Sequence, residues 1–344
     1  MEALLQQTMG GMPIFALLLG IAFFIFILGY GADLMVDQAV ALSRMWGIPR
    51  GIVGATIVSL GTTFPEAAVS VTAAVQGEPG IALGNAVGSI ICDTGLILGI
   101  ANCMAPLALE RHVVGRQGWL QLGAGVLLVL ACFPWAAPHT VFTAGGHLPR
   151  AMGFFFLVLL GFYIVLSIRW AREADACAVC DEAEGDTTAP RALLKLAAGA
   201  ILVAGSSHFL IPMVRETALR LSVPESIIGA TLVAFGTSLP ELVTAVTAVR
   251  KGHGELAVGN VLGADILNVL FVAGTAAAVT QGGLMAPPHF FQILFPAMLA
   301  VLFVFRIGVI ASGTHLKRQF GLVLLTVYLM VMVISYSGNI APPH

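Results

Sequence analysis

The chain has 344 residues, of which 58% are hydrophobic and only 10% charged, with a mean hydropathy of +0.96. A globular chain is about 45–50% apolar and about 25% charged, so too few charged groups are present to clothe a water-facing surface, and lipid must solvate most of this one. The net charge of −2, with no basic patch interleaved with aromatics, excludes nucleic acid as a partner.

Runs of about 20 apolar residues span a bilayer as helices. Ten such runs follow one another, at 13–42, 50–75, 80–101, 118–136, 150–170, 192–220, 225–249, 255–279, 289–311 and 317–337. The first and sixth exceed what a span requires and are expected to tilt. The longest polar stretch, 171–191, carries Glu173, Asp175, Asp181, Glu182, Glu184 and Asp186 and reads as a solvated loop between a first half, 1–170, and a second, 192–344. Cys177 and Cys180 in that loop make a lone CxxC, read as an incidental pair; with Cys92, Cys103 and Cys132 the cysteines are odd in number and lack framework spacing. No Lys or Arg precedes the first apolar run, unlike the basic leader of a cleaved signal peptide.

Basic residues set the orientation. With the N-terminus outside, Arg44, Arg50, Arg111, Arg116, Arg169, Arg172, Arg191, Lys195, Arg250, Lys251, Arg306, Lys317 and Arg318 fall on cytoplasmic ends, and only Arg150, Arg215 and Arg220 fall outside. Both termini are then outside and the loop 171–191 is cytoplasmic.

The sequence also repeats internally. Residues 54–99 align without a gap onto 229–274 at an offset of 175, with 18 of the 46 positions identical, and Pro49 and Pro224 share the offset. Five spans separate the copies, so the second must enter the membrane from the opposite side. The expected fold is an all-α polytopic membrane protein of ten transmembrane helices, arranged as two inverted five-helix repeats, an architecture of many secondary transporters.

Each copy holds one polar cluster near the centre of a span: Gly61-Thr62-Thr63-Phe64-Pro65-Glu66 and Gly236-Thr237-Ser238-Leu239-Pro240-Glu241. An ionised carboxylate at mid-bilayer costs at least about 2.5–3.5 kcal/mol, so each glutamate needs a compensating cation or proton. Pro65 and Pro240 lack an N–H and are expected to free the carbonyls of Gly61 and Gly236, with the glycines permitting local unwinding. Carbonyls, hydroxyls and carboxylates are hard oxygen donors, which suit Ca²⁺ and Na⁺ rather than Zn²⁺ or Cu⁺. A kink whose threonines bond back to their own helix explains one copy. Twin glutamates at equivalent depths point instead to two acids closing on a divalent ion. The next span adds Ser89 and Asp93 on one helix face, with Ala264 and Asn268 on the equivalent face. The glycines Gly84, Gly88, Gly259 and Gly263 let these helices approach a neighbour closely.

The pairs GTTFPE…GNAVGS and GTSLPE…GNVLGA resemble the alpha repeats of the cation/calcium exchanger superfamily, and most closely its sodium/calcium exchanger branch of prokaryotic type. The resemblance implies a prokaryotic inner-membrane antiporter that exchanges one Ca²⁺ for three Na⁺ at overlapping, mutually exclusive sites. It implies that Glu66 and Glu241 hold Ca²⁺, and that Thr62 and Thr237 add backbone oxygens. Thr63 and Ser238 would give hydroxyls to flanking sodium sites, Ser59 and Ala234 carbonyls, and Ser89 a hydroxyl. No cofactor or obligatory protein partner is implied, and the substrates are the two ions within the bilayer.

Two departures stand out. Archaeal relatives carry Asn in the first half and Asp in the second where this chain has Asp93 and Asn268. Ala264 replaces an expected serine, and Asp265 follows where Asn is usual. Asp265 lies about 100° around the helix from Ala264, where it either replaces the lost ligand or faces a packing seam. Proton/calcium and potassium-dependent sodium/calcium antiport are therefore the alternatives. An ion channel fits less well, since an inverted repeat with one midplane acid cage argues for an occluded site rather than a continuous pore, and an intramembrane aspartyl hydrolase fits less well, since Asp93 and Asp265 lack the GxGD context. Asp33 and Asp37 are expected to be solvated at the membrane interface, and His208, within the sixth span, to be a packed polar residue.

Overall fold

A computed structural model describes residues 9–175, 188–221 and 236–340, and is helical nearly throughout. Helix α1 (Ile14–Trp46) follows Pro13 and ends where Gly47 turns left-handed, at φ 65°, and returns its N–H to the carbonyl of Arg44. Helix α2 (Arg50–Val75) contains one widened π-turn at Gly54–Val58. Helix α3 (Pro79–Met104) has a π-turn at Cys92–Ile97. Then come α4 (Arg111–Cys132), β1 (Gly146–Leu148), α5 (Arg150–Asp175), α6 (Ala189–Arg220) and α7 (Leu239–Arg250). Helix α8 (Gly254–Val279) has a π-turn at Asn268–Ala273, and β2 (Leu284–Ala286), α9 (Phe290–Ala311) and α10 (Arg318–Ile340) complete the chain. Among the described residues, eight helices are long and apolar enough to cross a membrane; α7 and α10 are the other two. The chain is a polytopic helical membrane protein.

Helix α8 is the centre of the bundle, with every residue from Leu256 to Leu267 buried. It lies against α2 so closely that only glycine fits. A Cβ on Gly259 would collide with the Gly51 backbone, and one on Gly263 with Ala55 and Ser59. The places equivalent to Gly51, Ala55 and Ser59 in the second half fall in 222–235, outside the described residues. Helices α1 and α6 pack along each other and meet the rest of the bundle chiefly through α2 and α7. Outward faces carry large apolar side chains, among them Phe15, Phe23, Phe26, Phe154, Phe162, Ile201 and Phe303, as a lipid-facing surface requires.

The two ends of the bundle differ. At one end Arg50 pairs with Glu255 at 2.7 Å, and Lys251 pairs with Asp33 at 3.0 Å and Asp37 at 2.8 Å. Burial would lower the Lys251 ammonium, but its hydrogen bonds to Asp37 and Asp33 outweigh this and hold it above the usual lysine range. Glu110 accepts the Gly51 N–H at 3.2 Å, and Ala108 bridges to His315. At the other end β1 and β2 pair antiparallel, and Arg150 donates to the carbonyl of Ala278.

Three expectations are corrected. The fourth helix starts at Arg111 rather than 118, because Arg111, His112 and Arg116 extend it into the polar end where hydropathy gives no signal, and it stops before Pro134. His208 is exposed, set edge-on to Phe209, rather than packed inside. Pro65 does not unwind its helix: Ser59–Val75 is continuous through it, and the irregular turn lies earlier, at Gly54–Val58. In the second half the break does fall before the proline, with Thr237 and Ser238 as bends ahead of α7. Asp33 and Asp37 are exposed as expected, yet both are paired with Lys251.

Candidate ion-binding site

Four helices converge on the bundle centre. Helix α2 brings Ser59, Thr62, Thr63 and Glu66, all buried. Helix α3 brings Ser89 and Asp93, the latter at the start of its π-turn. The start of α7 brings Ser238 and Glu241, with Thr237 half-buried just before it. Helix α8 brings Asp265 and Asn268, with Ala264 buried beside them. Ala234 lies outside the described residues. Each π-turn tilts the helix by inserting one residue, a device that recurs at functional sites because it re-aims side chains and frees carbonyls.

The acids are neighbours. Glu66 is in electrostatic contact with Asp93 and Glu241, and Asp93 with Glu241 and Asp265. Ser238 lies beside Asp93, and Thr62 and Thr63 beside Glu241. Yet few well-formed hydrogen bonds close among them. Both oxygens of Glu66 and of Asp93, Oε2 of Glu241 and Oδ1 of Asp265 are buried without a hydrogen-bond partner. So are the hydroxyls of Thr63 and Ser238 and both amide atoms of Asn268. Buried polar atoms are nearly always paired, and each one left unmade costs about 1–3 kcal/mol, more if charged. A cluster of unsatisfied hard oxygens at one spot is what a dehydrated hard cation needs. Among the described residues no three His, Cys, Asp or Glu side chains are grouped to hold a metal by themselves. A cation here must complete its shell from the hydroxyl and carbonyl oxygens.

Two hydrogen bonds frame this cluster, and they mirror each other. Thr62 bonds Asn260 Oδ1 at 3.4 Å, and Thr237 bonds Asn85 Oδ1 at 3.1 Å. The offset of 175 carries the first pair onto the second. Each bond joins one half of the chain to the other. Asn85 also donates to the Glu66 carbonyl at 3.3 Å and to the Ser70 hydroxyl at 3.0 Å, which fixes the backbone beneath Glu66. Ser89 and Thr237 hydroxyls lie 3.5 Å apart.

Sequence reasoning missed Asn85 and Asn260, although the repeated Gly-Asn step was a visible signal. It also missed Thr94 and Gln121. Asp265 Oδ2 accepts from both, and Gln121 Nε2 also donates to Thr94 at 3.0 Å. No repeat marks those two residues; the available signal was a lone polar residue in an apolar span.

A bundle of lipid-exposed helices around a buried, acid-lined pocket of oxygens defines a membrane cation transporter. The sequence profile described as sodium/calcium exchanger protein matches residues 16–169 and 191–337, one stretch in each half. The chain belongs to that family, and its class is cation/calcium-exchange antiport. The inner membrane protein YrbG of Escherichia coli is 31% identical over 314 residues, covering 89% of this chain and 93% of its own. The sodium/calcium exchanger MaX1 of Methanosarcina acetivorans is 29% identical over 349 residues, covering 93% and 97%. In fold, the chain is similar to the sodium-calcium exchanger NCX_Mj soaked with Na⁺ and Sr²⁺, at a TM-score of 0.77 and 22% identity, over 93% of this chain and 99% of that one.

Proposed function

We propose that this chain exports Ca²⁺ in exchange for Na⁺ by alternating access, with the ion site at the midplane between two inverted five-helix repeats. Glu66 and Glu241 hold Ca²⁺. Thr62, Thr63, Thr237, Ser238, Ser59, Ala234, Ser89, Asp93, Asn268 and Asp265 supply the remaining oxygen ligands or their backbone frame. The observation that carries this reading is the buried set of unpartnered oxygens on Glu66, Asp93, Glu241, Thr63 and Ser238. The charge of the two glutamates matches a divalent cation, and the hard oxygens disfavour a soft one. MaX1, by its name, is a sodium/calcium exchanger; Na⁺ as the coupling ion follows that likeness.

The mirrored pairs Thr62–Asn260 and Thr237–Asn85 support the inverted halves. So does the placement of the two π-turns, Cys92–Ile97 and Asn268–Ala273, within one residue of the same offset. Helices α1 and α6 pack on each other and touch the rest chiefly at α2 and α7, which suits a pair that moves as a unit past a fixed core. Ten spans put both termini outside in an inner membrane, with the Arg50 and Lys251 end in the cytoplasm.

The test is radioactive Ca²⁺ uptake into inverted vesicles driven in turn by sodium, proton and potassium gradients. Uptake with the sodium gradient alone is expected. It should be lost in the double variant Glu66→Gln, Glu241→Gln. Uptake that follows only the proton or potassium gradient overturns the coupling ion, and unchanged uptake in the double variant overturns the site.

A further inference from the structure

Away from the acid cage, two cavities lie beside α2, α4 and α5, toward the Arg50 end of the bundle. One, of about 520 Å³, is lined by Glu110, Arg111, Arg116, Gln117, Trp170 and Glu173 among others. The second, of about 490 Å³, is lined among others by Trp46, Ile57, Tyr163, Ile164, Ser167 and Arg172. Ile52 borders both, so they form one groove.

The polarity of this groove changes in steps along its length. Arg111 and Arg172 stand exposed at its mouth, and among the described residues neither is in an ion pair. The other charges there are engaged. Arg116 pairs with Glu173 at 2.6 Å and lies over the Trp170 ring, and Glu110 accepts the Gly51 N–H. About 8 Å further along each helix, at about 1.5 Å per residue, come Gln117 and Ser167. Both are buried, and neither the two amide atoms of Gln117 nor the hydroxyl of Ser167 has a hydrogen-bond partner. Buried polar atoms are nearly always paired, so these point to a ligand. Beyond them the wall is apolar, ending at Leu60, Leu160, Leu267 and Phe271. Leu60, Ile164 and Ile168 remain about half exposed, so the groove opens sideways to the bilayer.

Its length fits as well. Leu160 to Arg172 covers about 18 Å of helix, and one leaflet of hydrocarbon is about 15 Å deep. A cationic mouth, a hydrogen-bonding middle and an apolar floor follow the order of phosphate, ester and acyl chain in a phospholipid. Trp46 and Trp170 lie toward the mouth, where indole rings favour the headgroup level.

We propose that this groove binds one phospholipid with an anionic headgroup. Its phosphate lies between Arg111 and Arg172, its ester oxygens meet Gln117 and Ser167, and one acyl chain runs along Ile57 and Ile164. The site is separate from the acid cage and does not depend on which ions are exchanged. Its inner wall includes the π-turn of α2, however, since Thr56 and Ile57 line the groove and Tyr163 donates to the Ala55 carbonyl at 2.7 Å. The bound chain lies on the outer side of the turn that leads into Ser59 and Thr62.

The experiment uses the full-length protein carrying Trp119→Phe and Trp135→Phe, which leaves Trp46 and Trp170 as the fluorophores. It sits in phosphatidylcholine nanodiscs, into which phosphatidylglycerol or phosphatidylcholine brominated near the ester is introduced in steps. Tryptophan quenching reads occupancy. One arginine near the membrane surface favours an anionic lipid about fivefold. Brominated phosphatidylglycerol should therefore reach half-quenching at a mole fraction about 20-fold below that of brominated phosphatidylcholine. Arg111→Gln and Arg172→Gln should each cut this preference about fivefold. Ser167→Ala should weaken both lipids about threefold and leave the preference intact. Arg318→Gln removes an exposed arginine of the same end outside the groove and should change nothing. Equal quenching by the two lipids means ordinary annular lipid. A loss of preference in Arg318→Gln as large as in Arg172→Gln means general surface charge. Protection of both tryptophans only as the protein self-associates means a second copy in the groove. Each of these overturns the inference, and Ser167→Ala without effect on either lipid overturns the ester contact.

Discussion

The halves of this chain agree at the frame and disagree at the flanks. Thr62–Asn260 and Thr237–Asn85 are the same bond made twice, and Glu66 and Glu241 sit one turn beyond each threonine. Around that frame, Asp93 opposes Asn268, Ser89 opposes Ala264, and Asp265 opposes Ile90. The backbone differs as well, with α2 running unbroken through Pro65 while the second copy bends at Thr237 and Ser238 before Pro240. On the proposed exchange reading, a symmetric frame would let the same ion be met from either side of the membrane, and asymmetric flanks would let a competing ion be met differently. The duplicated glutamates should therefore tolerate no loss in either half, and the features around them should tune.

The largest effect tests the centre. Glu66→Gln and Glu241→Gln, made singly, should each weaken Ca²⁺ binding by at least about 100-fold, since each removes one of the two glutamate charges that close on a desolvated divalent ion. Calorimetric titration reads both. A tenfold disparity between them would break the equivalence of the halves at its core.

Next comes the acid that is present on one side only. Asp93→Asn should weaken Ca²⁺ binding roughly 30-fold, the low end of about 2–5 kcal/mol for truncating one partner of a buried charge pair. The exchange Asp93→Asn with Asn268→Asp restores the net charge but places the new acid one turn from Asp265 on the same helix. It should recover less than half of the lost binding free energy. Full recovery would show that the site counts charge and ignores position, and the distinction between flanks would fall.

Much of this architecture was legible in the sequence because lipid leaves so few options. Apolar runs mark helices when no water can satisfy an open backbone, and a gap-free repeat carries the glutamates, threonines and asparagines with it. What the sequence did not carry was anything decided by three-dimensional approach without a repeat to announce it. Gln121 lies 144 positions from Asp265, and Thr94 171 positions away, and neither copy of the repeat hints at the contact. Pro65 misled for a related reason. A proline predicts that a helix must yield, but where it yields depends on packing, and the close seam of Gly259 and Gly263 against residues 51–59 places the slack at Gly54–Val58 instead. The limit at Arg111 was lost because hydropathy is silent at the interface.

A smaller and more symmetric effect is expected from the frame itself. Thr62→Val and Thr237→Val keep the side-chain shape and remove the cross-half bonds to Asn260 and Asn85, the first also losing the bond to the Ser59 carbonyl and the second the contact with the Ser89 hydroxyl. A neutral hydrogen bond is worth about 0.5–1.5 kcal/mol, so each should weaken Ca²⁺ binding about three- to tenfold and by the same factor. Equal losses sharpen the picture of one bond made twice. A large loss for one alone would mean that the bend before α7 has made its threonine do a different job.

The smallest effect lies at the ends of the bundle, where the repeat has diverged most. Glu110 stands in the loop before α4; the offset places Met285, in the strand β2, at the corresponding point of the other end. Burial, reinforced by the nearby Glu255 carboxylate, pushes Glu110 up to about 7, against the opposing pull of the Gly51 N–H and Arg50. Its folded state thus holds a proton that the unfolded chain, with a carboxyl near 4.5, has already released. Stability from this group is fully present below about 4.5 and is lost as the pH rises through about 7. Glu110→Gln mimics the protonated form and keeps an oxygen for the Gly51 N–H. The variant should match wild type in thermal unfolding at pH 4.5 and exceed it at pH 8, by up to about 2 kcal/mol. Met285→Gln, at the opposite end, should add no pH dependence at all. Parallel unfolding curves for wild type and Glu110→Gln across that range would show that this end of the bundle is no more sensitive to pH than the other, and the contrast between a charged end and a strand-paired end would then be one of sequence only.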